Sequence, residues 1–505
     1  MENSMGSKEV IIYGTIAVYI AIMIIVSVLS SRSAKNVSDF AVGKRNANAW
    51  LSAFSYGTAY FSAVMFIGYA GTTGWNYGLW GVLPGIGNAI FGALFAWLVL
   101  ANRTRDITRH HDIRSMPQFF EKRFGDKVMK QFCVFVTFIF LLPYSASVYK
   151  GLTSVCSILL GIDEMLCCIL IACVAAVLVV LGGYMATLKA DFLQGIVMVG
   201  GVIALIVVIM RCEQVGGLTD GISNIIDKTS ELSLTPKDHI SLWATVLMTS
   251  FGTWGLPQMI HKYYGIKDKA EVVRGTVIST LFCLVIAGGG YFIGSLSRLF
   301  PEAFADGVYD NIIPNVLEAA NVPTILLGII LVLLISASVS TLASITITAS
   351  TTLTMDFIAP VAMKKASAEK VGNACKIVSV LFIILSFVIA ITPGTPILVM
   401  MSYSWGIISG SFMAPYILSL FWKKLNRAGA WVGMLGGFIT AFPPLVCKLF
   451  GITVSTPLGE LSALGPHFAC LAMIISFPLC FIGTKIYNSV TKTNEANTEF
   501  YQTAK

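Results

Sequence analysis

Two long apolar stretches, residues 48–70 and 239–262, are each interrupted near the middle by small, polar and helix-weakening residues, and they occupy matching places in a repeated hydropathy pattern. The first carries Phe54-Ser55-Tyr56-Gly57-Thr58-Ala59-Tyr60-Phe61-Ser62 at its centre, and the second Ser250-Phe251-Gly252-Thr253-Trp254-Gly255-Leu256-Pro257-Gln258. A helix broken inside hydrocarbon frees backbone groups that lipid cannot satisfy. It persists only where protein encloses it or where it lines a cavity for ions or substrate. The pattern points to a carrier built around two broken helices.

Of 505 residues, 56% are hydrophobic and only 12% charged, against about 25% charged in soluble domains. The chain reads as an all-α, multi-spanning membrane protein. Spans are expected at 9–30, 48–70, 78–101, 131–160, 163–184, 190–210, 239–262, 272–297, 323–356, 371–392, 395–421, 429–450 and 463–484, each meeting the ~20-residue requirement. The net charge of +8 sorts by loop: 31–47, 102–130, 261–275, 357–376, 422–428, the C-terminal tail and Lys189 hold 27 of the 34 basic residues. That side is cytoplasmic by the positive-inside rule. The charge is thus an orientation signal, and nucleic-acid binding is not expected. The chain is expected in the plasma (inner) membrane, with its N-terminus outside and its C-terminus cytoplasmic. The first span has no basic leader beyond Lys8 and outlasts a signal peptide's apolar region, so it is expected to be a mature helix.

Residues 1–505 read as one membrane domain: a leading helix (1–47), a five-span unit (48–210), a second five-span unit (239–421), then two trailing helices and a short polar tail (422–505). An odd number of spans per unit makes the second unit an inverted repeat of the first, with the broken span leading each. Transporters built this way bind substrate and coupling ions near the bilayer midplane, where the broken helices meet. The 102–122 segment, with Pro117-Gln118-Phe119-Phe120-Glu121-Lys122-Arg123, reads either as an amphipathic helix along the cytoplasmic surface or as a solvated basic loop. The eleven cysteines form no metal-type spacing, and there is no H-E-x-x-H, nucleophile elbow or P-loop. No enzyme activity and no cofactor are expected, and the protein is expected to work as a monomer.

The ninth span contains Ser336-Ala337-Ser338-Val339-Ser340-Thr341-Leu342-Ala343-Ser344 and continues with Thr346, Thr348, Ser350, Thr351 and Thr352. Hydroxyls spaced by three and four share a helix face. Helix packing accounts for such a face, since small and hydroxyl residues are common at membrane helix interfaces. Combined with a broken helix, the face has a second reading. Freed carbonyls of Thr58 and Phe61 opposite the Ala337 carbonyl and the Ser340 and Thr341 hydroxyls form a hard-oxygen set suited to sodium.

The chain resembles the sodium/solute symporter family, which includes bacterial proline, pantothenate, sialic acid and sugar symporters. The resemblance rests on Ser38-Asp39-Phe40-Ala41-Val42-Gly43-Lys44-Arg45, on Gly182-Gly183-Tyr184-Met185-Ala186 through Asp191-Phe192-Leu193-Gln194-Gly195, and on Ser340-Thr341-Leu342. A fourth motif is Ser419-Leu420, Lys424, Gly429-Ala430, Gly433 and Gly436-Gly437. It implies a LeuT-like 5+5 inverted repeat with one helix before and two after, a total of about 13 spans. It also implies a main sodium site on the backbone of Thr58, Phe61 and Ala337 and the hydroxyls of Ser340 and Thr341. Some members hold a further sodium on an aspartate matching Asp191 and serines matching Ser340, Ala343 and Ser344. Ala343 lacks the hydroxyl, so one sodium per solute is expected, with Asp191 and Ser344 as a second site or an exit route. Asp191 near a span end otherwise reads as a carboxylate snorkelling to the interface.

The implied function is sodium-coupled import of a small organic solute, an amino acid such as proline or a small carboxylate such as pantothenate or a monocarboxylate. A proton-coupled carrier of the same fold and a membrane solute sensor are the alternatives. Proline symporters carry an aspartate where this chain has Tyr60, and Tyr60, Ser62, Ala63 and Met65 make a face too apolar for a large sugar. Gly255-Leu256-Pro257-Gln258 followed by Lys267-Asp268 resembles pantothenate-type members. Trp254, Gln258, Tyr403 and Trp405 are further candidates for the solute pocket. Lys150 is either buried roughly 15 Å below the outer membrane face, ready for a solute carboxylate, or snorkels outward from a helix ending at Gly151.

Overall fold

The computed structural model describes residues 7–31, 42, 45–392, 396–491 and 499–501. Most of the Ser38–Arg45 motif lies outside the described residues. The principal helices are, in chain order, α1 (Ser7–Ser31), α2 (Ala49–Tyr60), α3 (Asn102–His110), α4 (Met116–Phe124), α5 (Lys127–Leu160) and α6 (Glu164–Arg211). There follow α7 (Pro236–Phe251), α8 (Pro257–Tyr264), α9 (Lys269–Cys283), α10 (Gly289–Leu296) and α11 (Thr324–Leu353). The last are α12 (Ala368–Ala390), α13 (Ile397–Phe421), α14 (Arg427–Ala441), α15 (Pro443–Phe450) and α16 (Gly465–Thr491).

Both expected breaks are present. Helix α2 starts at Asn48, whose side chain accepts the Leu51 N–H at 3.0 Å, and stops where Phe61 turns extended (φ −109°, ψ 117°). The chain resumes as the π-helical turn Val64–Ala70. Helix α7 leads through a 3-10 turn, Gly252–Trp254, to Leu256 in the same extended region (φ −79°, ψ 119°). Pro257 then opens α8, a position where its missing N–H costs no helix bond.

Among the described residues, eight helices are long and apolar enough to cross a membrane, or nine if α14 and α15, bent by 41° at Phe442, count as one. The difference from about 13 has identifiable causes. Each break leaves half-helices, α2 of 12 residues and α7 of 16, shorter than the ~20 a full crossing takes. Helix α1, of 25 residues, matches the span expected at 9–30 in length. The spans expected at 163–184 and 190–210 fall in one helical run, α6, of 48 residues. At ~1.5 Å per residue that is roughly 72 Å, more than two hydrocarbon thicknesses. The helix therefore runs through 185–189, where a loop was expected.

The 102–122 segment is helical rather than a solvated loop, and the apolar sides of α3 and α4 pack on the protein while Arg103, Arg109, His110 and Lys122 stay exposed. Phe119 packs 4.7 Å from Tyr416, Phe120 lies 6.1 Å from Phe412, and Phe119, Phe120 and Arg123 are buried. The tail returns to the same place: Phe500 stacks on His111 at 4.7 Å and Tyr501 donates to the Ser419 carbonyl at 2.5 Å. Helix α11 is enclosed by its neighbours, with every residue from Ile330 to Thr352 buried. Several of its hydroxyls do pack, as Ser350 shows by accepting from Ser379 of α12 at 2.8 Å.

Candidate functional site

Tyr60 ends α2 and Phe61 leaves the helix, so carbonyls of the last turn have no helical partner downstream. The Thr341 hydroxyl of α11 meets one of them, donating to the Thr58 carbonyl at 3.2 Å and lying 2.9 Å from its own helix's Ala337 carbonyl. Thr58, Ala337 and Thr341 thus present three oxygens to one another in a fully buried region, and Phe61 stands at the break beside them. Ser340, the next hydroxyl on α11, is turned toward α6, where it donates to Asp191 Oδ1 at 2.6 Å. These are neutral hard oxygens with one carboxylate behind them, a donor set suited to sodium.

Asp191 does not snorkel. It is 0% exposed, and Ser55 of α2 donates to its Oδ2. Lys262 of α8, 3% exposed, lies with Nζ 3.4 Å from Asp191 Oδ2 and donates to Ser55 Oγ at 2.8 Å and Ser344 Oγ at 2.9 Å. Sequence reasoning had assigned Lys262 to the cytoplasmic loop 261–275, and the structure corrects that. Its signal in the sequence was a lysine inside the second broken span, five residues past Pro257. Ser55 was likewise missed, although it sits in the interrupted segment.

The solute candidates divide. Tyr60 stacks on Phe61 with ring centroids 4.3 Å apart, faces Trp405 at 6.2 Å, and donates to the Thr249 carbonyl at 2.6 Å, so it spans from the first break to α7. The Ser62 hydroxyl accepts the Val64 N–H at 3.2 Å, and Met65 is buried near Gly290. Trp254 donates to the Phe91 carbonyl at 2.9 Å. At the second break, Ser409 of α13 satisfies the Gly252 carbonyl at 2.6 Å. Gln258 is 1% exposed, yet neither Oε1 nor Nε2 has a hydrogen-bond partner among the described residues. A buried amide left so costs about 1–3 kcal/mol. Tyr403 is not brought to this cluster: its hydroxyl donates to the Ser462 carbonyl at 2.6 Å, in the segment before α16.

Lys150 lies neither at the breaks nor at a helix end, since α5 continues to Leu160. It is partly exposed, donates to the Thr392 carbonyl at 3.0 Å, and lines a cavity of about 770 Å³ with Asp163, Glu164, Asp310 and Asn311. These acidic neighbours already supply counter-charge.

The sodium:solute symporter family model matches residues 40–437. The osmoregulated proline transporter OpuE of Bacillus subtilis is 24% identical over 464 residues, 90% of this chain and 92% of the relative. The high-affinity proline transporter PutP of Bacillus subtilis is 26% identical over 83% of this chain and 89% of its own length. A Na+-coupled sialic acid symporter, solved substrate-bound and outward-open, superposes with a TM-score of 0.74 at 18% identity, covering 93% of this chain and 97% of that one. That likeness shows the LeuT-like fold. With its two broken helices and with the family match extending over most of its length, the chain belongs to the sodium:solute symporter family.

Proposed function

We propose that this symporter couples one sodium ion to the import of proline or a small carboxylate by alternating access. The sodium would be held by the carbonyls of Thr58, Phe61 and Ala337 and the hydroxyls of Ser340 and Thr341. The observation that carries the reading is the Thr341 hydroxyl bridging the first helix break at Thr58 to the Ala337 carbonyl. An ion that takes these oxygens fixes α2 against α11, and a solute seated beside it shares that conformation. Sodium and solute affinities are then reciprocally coupled. For the solute, the unpartnered Gln258 amide is the leading contact, offering a donor and an acceptor to an amino acid or carboxylate, with Tyr60 and Trp405 as the apolar wall. The repeat units are 48–210 and 239–421, with the N-terminus outside and the C-terminus cytoplasmic.

The test is uptake by proteoliposomes of radiolabelled proline, other small amino acids, pantothenate, pyruvate, propionate, glucose and sialic acid. A sodium gradient is imposed first, then a proton gradient alone. Sodium-driven accumulation of proline or a small carboxylate is expected; uptake driven only by protons would sink the sodium assignment.

A further inference from the structure

Three hydrogen-bond donors on one ammonium meet three oxygens from three helices. Lys262 Nζ lies 2.8 Å from Ser55 Oγ on α2, 2.9 Å from Ser344 Oγ on α11 and 3.4 Å from Asp191 Oδ2 on α6. Asp191 Oδ1 is taken by Ser340 at 2.6 Å, so the carboxylate and three serines form one closed polar knot. A cation coordinated by Asp191 and the α11 serines would need these same oxygens. We propose that the Lys262 ammonium is itself the cation of that second position: a tethered charge, resident throughout the cycle, that limits the protein to one sodium ion. The inference rests on the sodium reading of the Thr58–Thr341 site for the remaining ion.

Three features of the knot support it. A lysine ammonium is a compact point charge whose three donors can be distributed among separate acceptors, whereas a guanidinium presents a planar fork. A fully buried carboxylate without a cation is strongly disfavoured, and repulsion between like charges at ion-pair distance keeps a mobile sodium out while the ammonium is present. Val339 and Ala343 line the same small space as Asp191 and Ser340 and bring no side-chain oxygen to it, whereas each of the ammonium's three donors has an acceptor. The long stem of Lys262 also explains the geometry: it reaches from α8, behind the second break, to Ser55, ahead of the first, and so ties the two broken helices together.

The experiment counts 22Na+ bound at equilibrium to the purified full-length protein in nanodiscs, with no solute added. One ion per chain is expected for the wild type, two for Lys262→Ser, and one again when Asp191→Asn is added to Lys262→Ser. Two ions on the wild type, or a folded Lys262→Ser protein that still binds one, would overturn the proposal. If Lys262→Ser does not fold, Lys262→Gln, which keeps hydrogen bonding and loses the charge, carries the same expectation; if neither folds, the wild-type count decides. Thr341→Ala separates this from the sodium reading beneath it. In the Lys262→Ser background it should leave one ion, at Asp191. A wild type that binds none while Lys262→Ser binds one would sustain the lysine assignment and remove the Thr58–Thr341 site, whereas no ion on either protein would remove both.

Discussion

Replacing Thr341 with alanine removes a hydroxyl that is 0% exposed and that faces the Thr58 carbonyl at 3.2 Å and the Ala337 carbonyl at 2.9 Å. The Ala337 carbonyl lies within α11 and keeps its helical surroundings, but Thr58 sits in the last turn before the break and loses its side-chain partner. Leaving a buried polar group unmatched costs about 1–3 kcal/mol. If the lost oxygen is a sodium ligand, the same range appears as a rise of roughly 5- to 150-fold in the sodium concentration for half-maximal uptake. Thr341→Ser keeps the oxygen and loses only a methyl, so its half-maximal sodium should stay within a few-fold of wild type. The assay is sodium-activated uptake of the transported solute into proteoliposomes at equal reconstituted protein, with thermal unfolding of the same samples in detergent. Linkage adds a second readout, since in each variant the factor by which sodium raises solute affinity must equal the factor by which solute raises sodium affinity. Should Thr341→Ala lower the melting temperature while leaving sodium activation unmoved, or should both variants shift sodium activation equally, the hydroxyl only packs and the site is misassigned.

Gly437 of α14 stands against the Gly410 carbonyl of α13 so closely that a Cβ would run into it; Gly437→Ala should cost about 1–3 kcal/mol or more in overpacking, read as a lower melting temperature. Gly200→Ala on α6, where nothing lies within 4 Å, should be neutral or slightly stabilising in the same scan. Asp126 caps α5, accepting the Val128 N–H at 2.8 Å, and also takes the Trp431 indole N–H at 2.8 Å and Arg427 Nε at 2.6 Å. Burial pushes its carboxyl up, but the indole and backbone N–H bonds and the Arg427 charge outweigh it and hold the group below the usual carboxylate value. Its contribution is therefore fully present above about pH 4 and is lost as pH falls through the lowered value. The melting-temperature gap between wild type and Asp126→Ala, about 1 kcal/mol for a lost cap, should close on acidification below that point, and a constant gap would contradict the ionic role. Gln258→Leu should raise the solute KM by about tenfold or more, the ~1.4 kcal/mol equivalent of one lost polar contact, with the melting temperature maintained or raised because the unpartnered amide is gone.

Both breaks were legible in the chain because helix-weakening residues inside an apolar run have a physical consequence that does not depend on tertiary contacts. Gly252, Gly255 and Pro257 announce the second break, and Gly57 with Ser62 brackets the first. The Thr341–Thr58 contact was legible for a related reason, since hydroxyls spaced along one face and carbonyls freed by a break have few other uses together. What could not be read was which hydroxyl turns which way. Ser340 and Thr341 are adjacent, so about 100° of helix rotation separates them, and that angle sends Ser340 to Asp191 and Thr341 to the break. Lys262 was lost to a loop because loop bookkeeping counts charge by position along the chain, while its role depends on α8 crossing α2, α6 and α11. The amphipathic pattern of 102–122 was legible, but not what its apolar face covers: Tyr416, nearly three hundred residues away, supplies the surface on which Phe119 packs.

The polar contacts around the first break constrain how the molecule can move. Thr341 fastens α11 to the end of α2, while Lys262 fastens α8 to Ser55 in the middle of α2, and Asp191 holds Ser55 and Ser340 from α6. The first half of one broken helix, the second half of the other, and the two long helices beside them thus form one connected unit. Tyr60 reaches out of it to the Thr249 carbonyl, and Ser409 closes the Gly252 carbonyl from α13. A rocking motion that separated α2 from α11 would expose Thr58 and Asp191 together, at a cost that hydrocarbon cannot offset. An ion bound between Thr58 and Thr341 raises that cost further, and so favours states in which the unit moves whole. If the proposed sodium ion binds there, it acts on transport by deciding which interfaces are allowed to open, and the contacts most worth perturbing are those that leave the unit, beginning with Tyr60→Phe, which deletes the bond to Thr249 and leaves the Thr58, Ala337 and Thr341 oxygens untouched. Its expected signature is a changed solute transport rate at unchanged sodium binding; a parallel loss of sodium binding would show that α7 belongs to the same unit.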